Sequence, residues 1–292
     1  MRYAWIKQHD KEFSIALMCK VLQVSDSGYY DRLKRKPSAA RQRRQIIAQA
    51  AARFYFESHR IYGYRKIYED LRQANIDCCR ETVRSIMRQI GLYSRVKRKF
   101  VHTTDSNHNM AVAQNLLDRD FTAAAANTKW AADITYIPTD QGWLYLAAVM
   151  DLYSRRIIGW SMSENIDSDL VISALRMAIL QRKPQTGLLH HSDRGSQYAS
   201  EMFQDLLADN EIVCSMSRKG DCWDNACMES FFGSFKTEWV EDKKYMSFEE
   251  AKKDVFKYVE IFYNRRRRHA SLGYLSPVEY EELNENERKQ VA

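Results

Sequence analysis

A change of hydrophobic period at Thr128 constrains the fold more than any other feature of the chain. Upstream, apolar residues recur at helical spacing; downstream they alternate or run on as they do in strands. Such a chain needs a helical unit in front and a sheet behind, each burying its own apolar face. In the rear unit, KWAADITYIPT reads as a strand with Ala131, Asp133, Thr135 and Ile137 on one face. GWLYLAAVMDLYSRRIIGWSMS supplies two more strands, Trp143–Asp151 and Arg156–Ser161, joined at Tyr153 and Ser154. A helix over Ser168–Gln181, the strand GLLHHSD, a helix over Ser200–Asp209, the strand EIVCSMS and the helix DNACMESFFGSFKTEWV follow. Meandering strands followed by alternating helix and strand predict an α/β plan with a mixed sheet.

The front unit reads as helices throughout. Ile15, Leu17, Met18, Val21 and Leu22 form one short apolar pattern, Ser25 an N-cap, and Tyr29, Tyr30 and Leu33 a second helix that ends at Pro37. Helix, tight turn, helix is the outline of a helix-turn-helix. Further on, Ile46, Ile47, Ala50 and Phe54 share a stripe, Ile67 and Leu71 mark the helix after the Gly63 break, and Val83, Ile86, Met87 and Ile90 point inward before Gly91 stops their helix. Arg80, Arg84 and Arg88, four apart, fall in one outward row that suits a helix laid along phosphates or in a major groove. Arg95, Lys97, Arg98 and Lys99 continue the charge as a basic tail. A row of arginines is also what an ordinary solvated face looks like, so the charge balance has to decide. Residues 1–104 hold 23 Lys/Arg against 9 Asp/Glu, whereas the rest holds 22 against 29. A basic front on a mildly acidic back assigns the front to a polyanion, and with the helical outline that polyanion is DNA. Residues 101–127 read as a connector with a short helix in its middle.

The remaining composition excludes other classes. No apolar run approaches the roughly 20 residues that span a bilayer; the stretch from Trp143 to Met150 is cut off by Asp151. The opening MRYAWIKQHDKEF lacks the apolar segment of a secretory signal, so a cytoplasmic protein is expected. Cys19, Cys78, Cys79, Cys214, Cys222 and Cys227 form no C-x-x-C pair, and the histidines are not spaced as zinc partners; reduced thiols are expected.

The acids of the rear unit carry the chemistry. Asp133 lies mid-strand among apolar neighbours, where a charge is costly without a partner. Asp193 ends the strand in HHSDRGSQY, and Gly195 lets the chain leave at once. Glu229 lies on the last core helix, where Asn225, Glu229, Gly233 and Lys236 share one face. Singly, these are equally a satisfied core aspartate, a turn residue and a solvated glutamate. Together they could meet at one edge of the sheet, as a carboxylate cluster for two Mg²⁺ (or Mn²⁺) ions about 4 Å apart in phosphoryl transfer. Lys236 would then offer a cation to a phosphate. Arg265, Arg266, Arg267 and Arg268, in a basic run after DVFKYVEIFYN, would grip a DNA strand beside it.

The blocks VSDSGYY, RIYGYRKI, WAADITYI, HHSDRGSQY, DNACMESFFGSFKTE and YNRRRRHASLGYLSPVEY resemble the signature blocks of the insertion-sequence-3 family of bacterial transposases, in its OrfB-type catalytic protein. The resemblance runs over nearly the whole chain. It implies an RNase H-like integrase core, a mixed five-stranded sheet with helices, behind an all-α helix-turn-helix region. By position, Asp133, Asp193 and Glu229 match the family's DDE triad, and Lys236 matches the basic residue expected near the element's terminal nucleotides. Asn225, and Arg60 and Arg65 around RIYGYRKI, join the expected DNA contacts. The resemblance further implies the element's terminal inverted repeats and target DNA as partners, an OrfA-type partner or fusion, a homo-oligomer on DNA, location at the bacterial nucleoid and no membrane. The implied reaction is copy-out, paste-in transposition. In contrast to retroviral integrases there is no His-His-Cys-Cys zinc module, and no heptad seam of the chain's own.

The expected organisation is a helix-turn-helix-like segment over 1–40, a helical DNA-binding domain over 41–100, a linker over 101–127, the catalytic core over 128–240 and a C-terminal helical extension over 241–292. Two other readings stay open at this point: a DNA-binding regulator that has lost catalysis, and an RNase H-type nuclease that hydrolyses without joining.

Overall fold

The computed structural model describes residues 1–94, 112–219 and 221–291. The basic tail at 95–99 and the first part of the connector, 101–111, lie outside the described residues.

The front begins with a helix the sequence reading lacked, α1 (Arg2–Gln8), before α2 (Ile15–Val21) and α3 (Asp26–Lys34). Ser14 and Ser25 cap the latter two, each side chain accepting from a backbone amide three residues on. Their core is small: Ile6, Met18, Cys19 and Tyr29. Leu17 and Val21, expected inward, are 55% and 72% exposed, because a helix of two turns turns only one narrow stripe toward its neighbours. In α4 (Ala39–Glu57) the buried stripe is Ile47, Ala51 and Tyr55, one residue round from expectation, and Ile46 faces outward. After Gly63, α5 (Tyr64–Gln73) buries Ile67 and Leu71, and α6 (Arg80–Gln89) buries Val83, Ile86 and Met87. Gly91 then takes φ +73°, the left-handed conformation that ends helices, and Ile90 is left exposed.

Behind it, β1 (Lys129–Thr139), β2 (Gly142–Asp151), β3 (Arg156–Ser163), β4 (Leu189–Ser192) and β5 (Val213–Met216) form, among the described residues, one mixed five-stranded sheet in the order β3-β2-β1-β4-β5. The first three strands meander antiparallel; β4 joins β1, and β5 joins β4, in parallel. A parallel neighbour requires a crossover, and α7 (Ser168–Arg182) supplies it between β3 and β4. It packs on Trp130, Ala147, Val149 and Ile158. Gly159 makes the approach possible, since a Cβ there would lie 2.2 Å from the Ala174 carbonyl oxygen. Short α8 (Ser196–Ala199) and α9 (Glu201–Asp209) complete that face. The opposite face, with Ala131, Ile137, Leu146 and Met150, is covered by α10 (Ala226–Phe235), whose chain widens into a π-helical stretch at Lys236–Val240.

The connector differs from expectation. Its described part, 112–127, contains no helix. The amides of Leu116 and Leu117 donate to the Ser215 hydroxyl at 2.9 and 3.2 Å, and the Asn127 amide donates to Asp151 at 2.8 Å. This segment belongs to the rim of the sheet.

The C-terminal extension comprises α11 (Phe248–Phe256), a π-helical continuation at Lys257–Tyr263, and α12 (Pro277–Val291). It covers the open edge of β3: the Asn264 side chain donates to the Ile157 carbonyl at 2.8 Å and accepts its amide at 3.0 Å. One side-chain amide thereby satisfies groups an edge strand otherwise leaves unpaired. On α12, Glu281 accepts from Arg182, Arg156 and Ser154, each at 2.7 Å. The helical front docks on the same extension. The Tyr62 hydroxyl donates to the Arg266 carbonyl and accepts the Arg268 amide, both at 2.9 Å, and His59 meets Trp239 and Phe262 edge-on.

Candidate active site

Strand register brings the first two acids together. β4 pairs with β1 as Lys129↔Leu189, Trp130↔His190 and Ala131↔His191. Carried two residues further, the same offset sets Asp193 level with Asp133. Asp133 shares its strand face with Ala131 and Ile137, the face that α10 covers. Its Oδ1 accepts the Ile134 amide at 2.8 Å. Burial raises its carboxyl pKa well above the usual carboxylate range; the negative charges of Asp193 and Glu229 push the same way, and Lys236 opposes them. Asp133 thus feels the charges of both other acids and of the lysine.

Asp193 is held by a tight turn. Its Oδ1 accepts the Gly195 amide at 2.9 Å, and a Cβ on residue 195 would lie 2.8 Å from Gln197 Oε1 and 3.1 Å from Asp193 Oδ1. Glycine eases that closeness, since a larger residue would displace the Gln197 side chain and press on Asp193; its φ is an ordinary −57°.

Glu229 stands in the first turn of α10, and Asn225 sets where that turn begins. The Asn225 amide donates to the Ala132 carbonyl at 3.0 Å, and the residue is 6% exposed. This corrects the expectation that Asn225 touches DNA: its side chain faces inward and joins the helix to β1 beside Asp133. The Lys236 ammonium lies 4.1 Å from the centroid of the Tyr136 ring. Burial lowers its pKa and Asp133 works against that.

Several participants were missed in the sequence. Asp224, fully buried, accepts from the side chains of Asn115 at 2.8 Å, Arg119 at 3.0 Å and Arg218 at 2.7 and 2.9 Å, and from the Arg218 amide at 2.9 Å. Arg119 also pairs with Asp221. Hydrogen bonds from Arg218 lead in holding the Asp224 carboxyl far below the usual range, although burial opposes them. The DxxD spacing of Asp221 and Asp224 was the available signal, but of the partners of Asp224 only Arg218 is near in sequence, Asn115 and Arg119 lying about a hundred residues away. Tyr198 is buried with no hydrogen-bond partner for its hydroxyl among the described residues, and its pKa rises from burial and from the charges of Asp133 and Asp193.

The expected DNA contacts divide. Arg80, Arg84 and Arg88 are exposed along α6, Arg80 reaching Glu69 at 3.3 Å and Arg84 reaching Glu81 at 3.5 Å. Arg60 lies over the Phe56 ring, Arg65 donates to the Tyr64 hydroxyl, and both are exposed, as are Arg265 and Arg266. Arg267 and Arg268 are corrections: they are 9% and 8% exposed. Arg267 donates to Glu238 at 2.6 Å, and Arg268 donates to Asp70 at 2.6 Å and to the Tyr274 carbonyl at 3.0 Å. Arg267 thus ties the extension to the π-helical stretch after α10, and Arg268 ties it to the helical front; both guanidinium groups are turned inward.

Among the described residues, no group of three or more His, Cys, Asp or Glu side chains is drawn closely enough together to hold a metal by itself. Mg²⁺ takes one or two carboxylates and completes its shell with water and phosphate oxygens. Asp133, disfavoured as a bare anion by burial and by the charges of Asp193 and Glu229, fits such an ion. No helix among the described residues is long and apolar enough to cross a membrane.

Residues 123–222 match a family model described as an integrase core domain, residues 210–277 match a second integrase core domain model, and residues 42–100 match an HTH-like domain. The chain is 42% identical over 286 residues to transposase InsF for insertion sequence IS3A of Escherichia coli (strain K12), covering 97% of this chain and 99% of that protein. It is 40% identical over 265 residues to the insertion element IS600 uncharacterized 31 kDa protein of Shigella sonnei, covering 91% and 97%. A similar solved structure is the HTLV-2 integrase catalytic core domain in complex with magnesium (trimeric form), 16% identical, covering 55% of this chain and 99% of that one, with a TM-score of 0.42. With an HTH-like region ahead of an integrase core, and such identity along nearly the full length of both chains, this chain belongs to the IS3 family of transposases.

Proposed function

We propose that Asp133, Asp193 and Glu229 are the catalytic acids with which this transposase cuts and joins DNA strands at the ends of an insertion sequence, holding two Mg²⁺ or Mn²⁺ ions. The observation that carries the reading is the position of Asp133, half-buried on β1 and within reach of the charges of Asp193 and Glu229, in an integrase core. When bound, the ions supply activation of the attacking oxygen and stabilisation of the leaving oxygen. The protein's own part is placement. Register and the Gly195 turn fix Asp193, the Asn225 tie fixes Glu229, and the Lys236 ammonium meets a phosphate oxygen beside the scissile bond. Water, and then a DNA 3′-OH, attacks phosphorus as the P–O bond on the opposite side breaks, so no covalent protein–DNA link forms.

Arg80, Arg84 and Arg88, with Arg60 and Arg65, bind the terminal inverted repeats, and Arg265 and Arg266 bind backbone phosphates. The basic front and the HTH-like match support this. The chain works as an oligomer on DNA with an OrfA-type partner, in the cytoplasm at the nucleoid.

The test incubates end-containing duplex with Mg²⁺ and the purified chain, with and without OrfA, wild type beside Glu229→Gln. Joined product that vanishes in the variant while DNA binding persists is expected. Binding with no metal-dependent product, even with OrfA present, overturns the assignment.

A further inference from the structure

Trp223 is 68% exposed, whereas the two residues after it, Asp224 and Asn225, are 0% and 6% exposed. Single exposed apolar side chains are common and ordinarily need no explanation. This one differs in how it is held and where. It lies in the 3₁₀ turn Cys222–Asn225. On one side, Asp221 Oδ1 accepts the Trp223 amide at 3.2 Å and Asp221 pairs with Arg119. On the other, Asp224 is gripped by Asn115, Arg119 and Arg218, and Asn225 is tied to the Ala132 carbonyl. An indole is thus presented to solvent from a turn clamped on both sides. The clamps lead to the residue before Asp133 and, through Arg218, to the strand beside the one that Asp193 ends. Glu229 follows six residues later on the helix this turn opens.

A rigid aromatic face at the rim of a DNA-joining site suits a nucleobase. Bases inside an intact duplex keep both faces in the stack, so apart from the outer face of a blunt end pair only an unpaired base can meet it. A strand released from its end pairs reaches a half-buried acid more readily than a duplex does, and opening the pairs costs unstacking free energy that a new stacking partner offsets. Stacking of a base on an aromatic side chain is worth roughly ten- to a hundredfold in affinity and tolerates any base.

We infer that Trp223 is a stacking platform for an unpaired nucleobase at the end of the DNA substrate, placed so that the opened strand runs into the acidic cluster. The inference rests on reading Asp133, Asp193 and Glu229 as the site of joining.

The test has two readouts. The first does not need catalysis: the full chain carrying Glu229→Gln is bound to end duplex with 5-iododeoxyuridine at one of the last three positions and irradiated. A cross-link mapping to the Trp223 peptide, lost in a Trp223→Ala background, is expected. The second compares strand joining on fully paired ends and on ends whose last three pairs are mismatched. Trp223→Ala loses roughly tenfold or more on paired ends and recovers toward wild type on mismatched ends, while Trp223→Tyr stays near wild type on both. No cross-link from any of the three positions, wild-type joining of paired ends by Trp223→Ala, or equal loss on both kinds of end overturns the inference. The last outcome assigns Trp223 to loop structure. If wild type gives no metal-dependent product, the triad reading fails by itself, and the cross-link still decides on Trp223.

Discussion

The Asn225 side-chain amide donates to the carbonyl oxygen of Ala132 at 3.0 Å, so the start of α10 is fastened to β1 one residue before Asp133. Glu229 lies four residues on, one helical turn later. The distance between the two acids therefore depends on a neutral hydrogen bond between elements far apart in sequence. Asn225→Ala should lower strand joining tenfold or more while costing about 1 kcal/mol of stability, roughly 2–4 °C in Tm. Asn225→Asp should be worse on both counts, because its carboxylate would face the Ala132 carbonyl and add negative charge beside the acids. Joining assays with thermal melting check both variants; full activity in Asn225→Asp would mean that the tie does not set the site.

The raised pKa of Asp133 makes a prediction about metal-free stability. A carboxyl whose folded pKa exceeds its unfolded one favours the fold at low pH, and that contribution is lost as pH rises through the folded value. Near pH 7–8 without divalent ions, the Asp133 charge therefore works against the fold. Asp133→Asn should raise Tm in chelator, since its side-chain oxygen can still accept the Ile134 amide. Mg²⁺ or Mn²⁺ should raise the Tm of wild type and shift the variant much less. A lower Tm for Asp133→Asn in chelator would contradict the electrostatic account.

How much of this was legible from residues alone depends on whether the cause was local. The strands, the crossover helix and the parallel entry of β4 follow from periodicity and length, which each segment carries itself. So does the placement of Asp193 at a strand end. The stripe of α4 came out one residue round because Ile46 and Ile47 fit a helical pattern equally well, and only packing against α5 and α6 chooses Ile47. The connector carries no period of its own; its backbone is held by Ser215, a partner nearly a hundred residues away. The RRRR run misled for a similar reason. Four consecutive arginines look uniformly solvated, yet a helix end turns successive residues in different directions, and two of these face Glu238 and Asp70.

That division separates affinity from stability. Arg268→Met leaves the half-buried Asp70 without its paired guanidinium and should cost about 1–3 kcal/mol, whereas Asp70→Leu combined with Arg268→Met should recover much of the loss. The salt dependence of DNA binding should stay unchanged in the folded double variant. Arg265→Ala with Arg266→Ala should do the reverse, leaving Tm nearly fixed and flattening the dependence of log affinity on log salt by up to about two ion equivalents. Melting curves and salt-titrated binding measure the two effects separately. A reduced salt slope in the Arg268 double variant would return that residue to the DNA.

Lys66 gives the junction between helical front and extension a dependence on pH. Its ammonium lies 4.8 Å from the centroid of the Tyr62 ring, and burial lowers its pKa to about 7, helped by Arg267 and Arg268 and opposed by Glu238 and Asp70. In the unfolded chain a lysine titrates near 10.4. Between about pH 10 and pH 7 the unfolded state takes up a proton that the folded state refuses, so this group's contribution to stability is present above the unfolded value and is lost as pH falls to about 7. Wild type should therefore gain stability relative to Lys66→Met as pH rises from 7 to 10, by about 1.4 kcal/mol per pH unit at most. Urea unfolding of both proteins across that range, taken as a difference, removes the titration of every other group. Parallel curves would show that Lys66 keeps its charge in the folded protein, held by Glu238 and Asp70 more strongly than burial expels it.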